Sequence, residues 1–377
     1  MKNKIFIGIS LCITIIILIL GGCGNAKDSN KITDDESKMT ATNEQNTVVI
    51  TDSSGTQVKI PAKINRIADA WGAHNEILAT IGAADKIVAT TLTPEVRPWL
   101  YKANPSLKNA VTTFSIDASE VNVEELIKTK PDIVFMSLNN KLAKQITDLG
   151  IPVVQVNFTD FESLKECVRL TGTIVGGNAK ENAEKYISYL DEKMKMISNV
   201  TSQIPTEQKP KILHLASFSP LTVDGKDAII TSGIELAGGI NVADITGKSK
   251  ATSLEQVFQW NPDMILMGRV LTGNGIKNSA AVSETDSSKI TNDPIWNNLN
   301  AVKNGKVVIN PDGAFSWDRY SAEEALQIQW MAKLINPDKF TNIDMVKETR
   351  YFFKTFMNYD LSEEEANLML AGEPPKN

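Results

Sequence analysis

Residues 179–200 read AKENAEKYISYLDEKMKMISNV, and this stretch near the middle of the chain decides the fold. Its apolar residues recur every three or four positions, with Glu and Lys between them: Ala183, Tyr186, Ile187, Leu190, Met194 and Ile197. That spacing gives one apolar stripe on an otherwise hydrated surface and predicts an amphipathic helix, which we place at residues 179–204. The segments on either side of this helix indicate its role in the fold.

Two segments that flank this helix align with each other without gaps. Residues 122–136 read NVEELIKTKPDIVFM, and residues 253–267 read SLEQVFQWNPDMILM. They share a Glu, a Pro-Asp pair and a Met in step, and apolar residues stand opposite apolar residues. Helix, Pro-Asp and strand is a common order in α/β proteins, and chance could supply a few identities. Agreement over the whole segment nevertheless predicts two similar lobes joined by the helix.

Strand patterns alternate with helical patterns on both sides of the predicted linker. KIVATT, DIVFMS and VVQVNF precede it, and KILHLAS, DMILMG and KVVINP follow it. Such alternation is typical of parallel sheets covered by helices. The predicted fold class is therefore α/β, with two Rossmann-like lobes of mostly parallel sheet at residues 48–178 and 205–377. Three helical patterns near the carboxyl terminus are expected to finish the second lobe.

The amino terminus predicts export. Two lysines precede an apolar run at residues 5–20, and small residues follow it, a pattern typical of a signal peptide at residues 1–23. The sequence LGGC at its end resembles the lipobox of bacterial lipoproteins, which implies that Cys23 is lipidated and anchors the chain to the outer face of the cytoplasmic membrane. An uncleaved anchor is the alternative, although the run is slightly short to span a bilayer. Residues 24–47 lack aromatic residues and predict a flexible tether.

Composition excludes several classes of function. A net charge of -6 argues against a nucleic-acid partner, which would need a basic face. With Cys12 in the signal peptide and Cys23 lipidated, Cys167 stands alone, so the mature chain has no disulfide. Two histidines far apart argue against a zinc or manganese site built from protein groups. No G-x-S-x-G elbow, Walker loop, dinucleotide fingerprint or H-E-x-x-H motif occurs, so we predict neither an enzyme nor an intrinsic cofactor.

Candidate ligand-binding residues follow the predicted strands, because ligands of open α/β sheets bind beyond the carboxyl ends of the strands. Arginines beside aromatic rings suit a planar, anionic or metal-chelating molecule through bidentate hydrogen bonds and stacking. For each residue the alternative is structural, since loop tryptophans often anchor packing and arginines are often locally paired. The candidates are Trp71, His74, Arg97, Trp99 and Asn139 in the first lobe, and Phe218, Arg269, Trp317, Arg319 and Tyr320 in the second.

The charged candidates carry more specific expectations. Arg97, Arg269 and Arg319 are expected to share the negative charge of the ligand. His74 is expected at the edge of the cleft, where it could occupy an open coordination position of a bound metal, although a structural role is an equal alternative. His214 lies inside the strand pattern KILHLAS and is expected to be a satisfied core histidine.

Residues 48–371 resemble the substrate-binding lipoproteins of ABC importers for iron-siderophores, cobalamin, haem and related metal complexes. The resemblance rests on the two repeat segments, on GIELAGGINVA at residues 233–243 and on WDRYSAEEALQIQWMAKLINPDKF at residues 317–340. It implies two α/β lobes joined by one long rigid helix, a ligand cleft between the lobes and only a small closing motion. The terminal motif is also similar to a branch that includes binders of metal oxyanions.

The resemblance also implies roles for two glutamates and for the ligand. In this family a Glu from each lobe docks on arginines of the membrane permease, and Glu124 and Glu255 occupy the matching positions. Offsetting the helix dipole is the alternative role of a carboxylate at that position. The expected ligand is a ferric siderophore or similar metal complex; nickel-histidine, cobalamin, haem and molybdate or tungstate are alternatives. A surface enzyme that processes a bound metal complex is the alternative from another class.

Overall fold

The computed structural model describes residues 46–268, 287–319 and 321–376, together with the short strand segments 271–272 and 281–282. Seven strands precede the linker: β1 (Thr47–Thr51), β2 (Gln57–Pro61), β3 (Ile67–Asp69), β4 (Ile87–Thr90), β5 (Val111–Thr112), β6 (Ile133–Ser137) and β7 (Val153–Val156). The helices among them are α1 (Gly72–Thr80), α2 (Pro98–Ala103), α3 (Val123–Lys128), α4 (Leu142–Asp148) and α5 (Phe161–Val175).

Strands β3 to β7 form one parallel sheet in the order β5-β4-β3-β6-β7. All of β3 is buried, and so is β6 except for its last residue. A strand covered on both faces needs no polar side, which explains why residues 133–136 (IVFM) are a continuous apolar run. The antiparallel hairpin β1-β2 lies outside this sheet, and its loop contacts β7 where Ser53 N–H donates to Gln155 O at 3.0 Å.

The linker helix α6 (Asn178–Thr201) leads into the second lobe. The strands described there are β8 (Lys211–Ser217), β9 (Thr222–Val223), β10 (Ile240–Asn241), β11 (Lys250–Ala251), β12 (Met264–Met267), β13 (Leu271–Thr272), β14 (Ala281–Val282) and β15 (Val307–Ile309). The helices described are α7 (Ile229–Leu236), α8 (Leu254–Trp260), α9 (Ser288–Thr291), α10 (Asn300–Lys303), α11 (Glu324–Ile335), α12 (Met345–Phe356) and α13 (Glu363–Leu370).

The main sheet of the second lobe has the order β11-β9-β8-β12-β15, with β10 also paired to β8. Strands β10, β8, β12 and β15 pair in parallel, whereas β9 and β11 join antiparallel at one edge. The prediction of an α/β fold with mostly parallel sheets in two lobes is confirmed.

The sequence repeat is also a repeat of backbone structure. In the first lobe it spans α3 and β6, and in the second it spans α8 and β12. Each helix is capped by the side chain before it, since Asn122 and Ser253 accept from the N–H three residues later. The residue before each Pro-Asp pair has a left-handed backbone, with φ of 46° at Lys130 and 41° at Asn261. The two lobes thus repeat an unusual backbone conformation at matching positions.

The Asp of each Pro-Asp pair joins its repeat to the neighbouring strand. Asp132 Oδ2 accepts from Arg66 N–H at 2.8 Å, just before β3, and Asp263 Oδ2 accepts from Lys211 N–H at 2.9 Å, where β8 begins. In return the N–H of each Asp donates to the carbonyl of the same partner at 2.8 Å. The shared Asp is therefore structural and sets the register between neighbouring strands in both lobes.

Helix α6 contacts helices of both lobes. It packs against α5 of the first lobe and against α7 and α11 of the second. Five residues of the predicted stripe are buried and Met194 is partly buried. The helix ends at Thr201, three residues before the predicted boundary, because Ile204 precedes Pro205 and the residue before a proline disfavours helical backbone.

The close approach of α5 and α6 depends on Gly172. A Cβ at this position would lie 2.6 Å from Ala183 Cβ and 2.9 Å from Ala179 O. We expect Gly172→Ala to lower the free energy of unfolding by about 1–3 kcal/mol, because overpacking outweighs the gain in helix propensity. Chemical denaturation measures the effect. Gly233→Ala is the matched control, since the only close neighbour of its Cβ would be the flexible end of Met331, with Ile328 at an ordinary contact distance of 3.9 Å. Equal stabilities of the two variants would contradict the prediction.

The terminal helices contact both lobes, whereas the sequence led us to expect that they only complete the second. Tyr189 of α6 packs against Phe352 and Phe356 of α12, with ring centroids 6.2 and 5.5 Å apart. In the first lobe, Lys102 Nζ lies 2.9 Å from Glu365 Oε1 of α13. Residues 44–377 form one compact unit, so the boundaries of the lobes stay predictions.

Candidate functional site

Loops that follow the carboxyl ends of the two sheets contact each other across the lobes. Arg97, after β4, donates from Nη1 to Ser316 Oγ at 2.9 Å, and the same nitrogen lies 3.4 Å from Asp312 Oδ1. Its guanidinium carbon is 4.1 Å from the ring centroid of Phe315. All three partners follow β15. The carboxyl edges of the two sheets therefore face each other, and the surface between them is the candidate site.

This contact corrects the expectation for Arg97. The residue is only 2% exposed, and its charge is opposed by Asp312 of the other lobe. A buried arginine that is paired, hydrogen-bonded and stacked on an aromatic ring stabilises the junction of the lobes. The structure thus places Arg97 inside the junction and away from the open surface where a ligand would bind.

His74 is a second correction, because it is fully buried. Its Nδ1 lies 2.7 Å from Asp69 Oδ2, and its Nε2 lies 2.9 Å from Thr171 Oγ1. Since the Thr171 hydroxyl donates to Cys167 O at 2.8 Å, Nε2 is the donor to Thr171. Burial alone would lower the pKa of His74, but the Asp69 carboxylate outweighs it and raises that pKa to about 10. Both ring nitrogens of His74 are engaged in these contacts, so neither is available to a metal.

Trp99 and Trp317 lie in the core. They are 1% and 0% exposed. Trp99 Nε1 donates to Glu373 O at 2.9 Å, so it holds the carboxyl-terminal segment against the first lobe. The structural alternative, a packing anchor, describes both residues, and the expectation that they contact ligand is corrected.

Three predicted residues remain partly exposed where the two edges face each other: Trp71, Phe218 and Arg319. Trp71 lies two residues after β3, and its ring stacks on that of Phe158, with centroids 4.8 Å apart and an angle of 27°. Phe218 directly follows β8, and its ring lies 5.8 Å from that of Trp296. The site thus offers one aromatic face from each lobe. Arg269, Tyr320 and Cys23 lie outside the described residues.

Asn139 lies two residues after β6, the strand that pairs with β3. It has a left-handed backbone with φ of 59°, and its N–H donates to Gln155 Oε1 at 2.9 Å. It borders a cavity of about 830 Å³ whose lining also includes Asp52, Lys59 and Lys144. Every lining residue of this cavity belongs to the first lobe. The cavity runs along the outer edge of β7 and is distinct from the surface between the lobes.

As expected, His214 lies in the core. It is surrounded there by a cluster of charged side chains. It is fully buried, with Nδ1 2.9 Å from Asp224 Oδ2 and Nε2 3.1 Å from Asp318 Oδ2. Burial would lower the pKa of His214, but the two carboxylates raise it to about 9. Arg319 completes the cluster, with Nη1 3.5 Å from Asp224 Oδ2 and Nε 3.6 Å from Asp318 Oδ2.

Glu76 and Glu323 are buried carboxyl groups that the sequence analysis did not single out. Glu76 of α1 accepts from the N–H of Ala322, in the second lobe, at 2.7 Å and from the Thr80 hydroxyl at 2.7 Å. Glu323 accepts from Phe315 N–H at 2.6 Å. Burial raises the pKa of Glu76 to about 7, and burial together with the nearby Glu76 raises that of Glu323 well above its usual range. The sequence indicated the burial of Glu76 only weakly: residues 75–82 (NEILATIG) contain too few polar residues to form a solvent-exposed helix face.

Glu124 and Glu255 stand in the first turns of α3 and α8. Asn122 N–H donates to Thr113 O at 2.8 Å, directly after β5, so α3 begins at the carboxyl edge of its sheet. Thr252 N–H donates at 3.2 Å to a carbonyl of the turn between β8 and β9, so α8 begins at the carboxyl edge of the other sheet. Both glutamates therefore lie on the side of the molecule that carries the candidate site.

Both carboxylates are exposed and ionised at neutral pH. The Glu124 side chain is 79% exposed, and a hydrogen bond from Lys128 lowers its pKa. Backbone and Ser253 hydrogen bonds lower the pKa of Glu255. Among the residues described here, no group of three or more His, Cys, Asp or Glu side chains could hold a metal ion. In the same part of the chain, no helix combines the length and apolar character needed to cross a membrane.

Comparison with known proteins gives a consistent result. A family model described as "Periplasmic binding protein" matches residues 70–314. The ABC transporter substrate-binding lipoprotein YvrC of Bacillus subtilis is 27% identical over 88% of this chain and 98% of its own length. The molybdate-binding protein MolA of Haemophilus influenzae is 26% identical over 82% of this chain and 90% of its own. A periplasmic solute binding protein structure from Veillonella parvula has a TM-score of 0.71 and 30% identity, covering 86% of this chain and 97% of that chain.

Proposed function

Since the chain belongs to the periplasmic binding protein family, we propose that it is the extracytoplasmic substrate-binding protein of an ABC importer, which captures a small metal complex and delivers it to a permease. It is a binding protein and not an enzyme, so the alternative of a metal-complex-processing enzyme is set aside. The one acid or base that the sequence offered for such chemistry, His74, is buried and fully engaged.

One observation supports this proposal: loops after the carboxyl edges of two similar sheets contact each other, and Trp71, Phe218 and Arg319, which follow strands of those sheets, are partly exposed. Aromatic faces stack on flat or apolar ligand surfaces, and a guanidinium donates hydrogen bonds to ligand oxygens. Such groups hold a ligand without forming a covalent bond to it. They suit reversible capture.

The ligand class follows from the chemistry of these groups. Oxygen-rich metal complexes offer both acceptor oxygens and broad surfaces, which favours a ferric siderophore or similar complex. MolA, a molybdate-binding protein, supports a metal oxyanion as the second candidate. Nickel-histidine, cobalamin and haem complete the set to be tested. The tether at residues 24–47 and lipidation at Cys23 would hold the binding lobes close to the membrane, in line with the lipoprotein name of YvrC.

Trp71 is expected to report ligand binding. The chain has six tryptophans. Trp71 is partly exposed at the facing edges, whereas Trp99 and Trp317 are buried. We expect one ligand among a ferric trihydroxamate, ferric citrate, nickel-histidine, cobalamin, haem and molybdate to change tryptophan fluorescence saturably. Trp71→Phe should remove most of that change.

Trp260→Phe is the matched control, because Trp260 ends α8 at the opposite edge of its sheet and should leave the signal intact. Calorimetry with the same ligands provides the affinity without relying on fluorescence. Absence of calorimetric binding to every member of the panel would refute the proposed ligand class, and an unchanged signal in Trp71→Phe would refute the location.

A further inference from the structure

Arg319 is held in a closed ring of four charged side chains. The Oδ2 atoms of Asp224 and Asp318 each face both bases, His214 at 2.9 and 3.1 Å and Arg319 at 3.5 and 3.6 Å. Arg319 Nη2 also donates to Ala216 O at 2.9 Å, within β8. About a fifth of the Arg319 side chain is exposed, whereas the other three side chains are at most 1% exposed. Arg319 is therefore the member of the ring that reaches the surface.

The ring lies at the edge where ligands of α/β sheets bind. Gly268 follows β12, and a Cβ there would lie 2.3 Å from Asp318 Oδ2 and 3.1 Å from both His214 Nε2 and Arg319 Nη2. Only a glycine lets the ring approach the carboxyl end of β12 this closely. Long arginine side chains are otherwise mobile, and anchoring one at three points removes the entropy cost of ordering it on binding.

The charges of the ring cancel. Asp224 and Asp318 are ionised, because His214 and Arg319 hold their pKa values below the usual range, that of Asp224 at about 2 despite burial. His214 and Arg319 carry one positive charge each at neutral pH. Two positive and two negative charges sum to zero. Arg319 therefore offers hydrogen-bond donors of fixed direction and little net attraction for anions.

This inference rests on the proposed binding function. We infer that His214, Asp224 and Asp318 are positioning residues that fix the Arg319 guanidinium, and that the four side chains together form an electrically neutral frame. This frame favours metal complexes of low net charge, such as a neutral ferric trihydroxamate, over anions of higher charge such as molybdate. Selection then depends on the direction of hydrogen bonds and only weakly on ionic strength.

Asp318→Asn tests the frame by changing its net charge from zero to plus one. Asp318 Oδ1 has no hydrogen-bond partner among the described residues, so an amide can keep its oxygen towards His214 and Arg319 and place its nitrogen at the Oδ1 position. We expect roughly fivefold to tenfold tighter binding of molybdate at 20 mM salt, vanishing at high salt, and a smaller, salt-independent change for the neutral ferric trihydroxamate, which meets Arg319 only through hydrogen bonds. A purely structural role would change both affinities alike and leave their salt dependence unaltered.

Two further measurements keep the inference falsifiable. His214→Gln makes the opposite change, from zero to minus one, and should weaken molybdate binding by a similar factor. In the wild type, the NMR signal of His214 should titrate near pH 9, and Asp318→Asn should lower that midpoint; His74 is the only other histidine to assign. An ordinary midpoint for His214, or one that Asp318→Asn leaves unshifted, would contradict the neutral frame. Failure of the wild type to bind either probe would overturn the proposed selectivity, whereas the proposed function would fail only if no ligand of the panel bound.

Discussion

Replacing Glu124 and Glu255 together with alanine is expected to abolish uptake of the ligand while leaving its affinity in solution unchanged. Both carboxylates are exposed at helix starts, one on each lobe, and their side-chain partners are Lys128 and Ser253 and not Trp71, Phe218 or Arg319. A permease arginine left without its carboxylate partner costs about 2–5 kcal/mol, so losing both should weaken docking by at least about a hundredfold. Uptake of labelled ligand by cells and calorimetry on the purified protein provide the two readouts.

The control variant must remove the same number of negative charges at other exposed positions. Glu162→Ala with Glu192→Ala removes two exposed carboxylates, 77% and 72% exposed, from α5 and α6. That variant should transport normally. If the Glu124 and Glu255 double variant also transports normally, the two glutamates do not dock, and their alternative role of offsetting helix dipoles would remain.

The second large effect concerns the junction of the lobes. The raised pKa of Glu76 means that the folded protein keeps a proton that the unfolded chain releases. The free energy of unfolding should therefore fall as pH rises from about 4.5 to about 7, by about 3 kcal/mol for this group alone. Glu76→Gln mimics the protonated carboxyl, so it should lack this part of the fall and should be at least as stable as the wild type at neutral pH.

The groups around Glu76 define the comparison. His74 and Thr80 lie on its own helix, Glu323 and Ala322 on the second lobe, and Tyr186 on α6, and all remain in both proteins. Urea denaturation at several pH values, taken as the difference between variant and wild type, reports Glu76 together with the neighbouring Glu323, whose pKa Glu76 raises, and cancels the groups that do not interact with it. Glu166→Gln, an exposed neutralisation on α5, is the control. Parallel pH profiles for Glu76→Gln and the wild type would contradict the prediction.

The architecture could be predicted because its signals are local. A fifteen-residue pattern of cap, helix, Pro-Asp and strand occurs twice, and each element reflects spacing within a few residues. The shared Asp was part of that pattern without a role of its own, yet it joins neighbouring strands in each lobe, Asp132 to Arg66 and Asp263 to Lys211. Local patterns therefore predicted the elements, while the bonds between elements appeared only in the structure.

The candidate site was harder to predict, because the fate of a charged side chain depends on distant partners. Arg97 meets Asp312 more than two hundred residues later, and His74 meets Thr171 nearly a hundred residues later. Before those partners are known, a loop arginine that faces a ligand and one that ties two lobes look identical. Trp71, Phe218 and Arg319 are partly exposed, shortly after β3, after β8 and in the loop after β15, and their contact with ligand stays a prediction.

The shared edge of the molecule has a consequence for how ligand is lost. Glu124 and Glu255 begin their helices at the same carboxyl edges that face each other around the candidate site. A transporter that grips both glutamates would cover the opening through which the ligand leaves. The released ligand would then diffuse in a space enclosed by the binding protein and the transporter. The fraction lost to the surroundings would depend on how tightly the two proteins contact each other and not on the rate at which the lobes release the ligand.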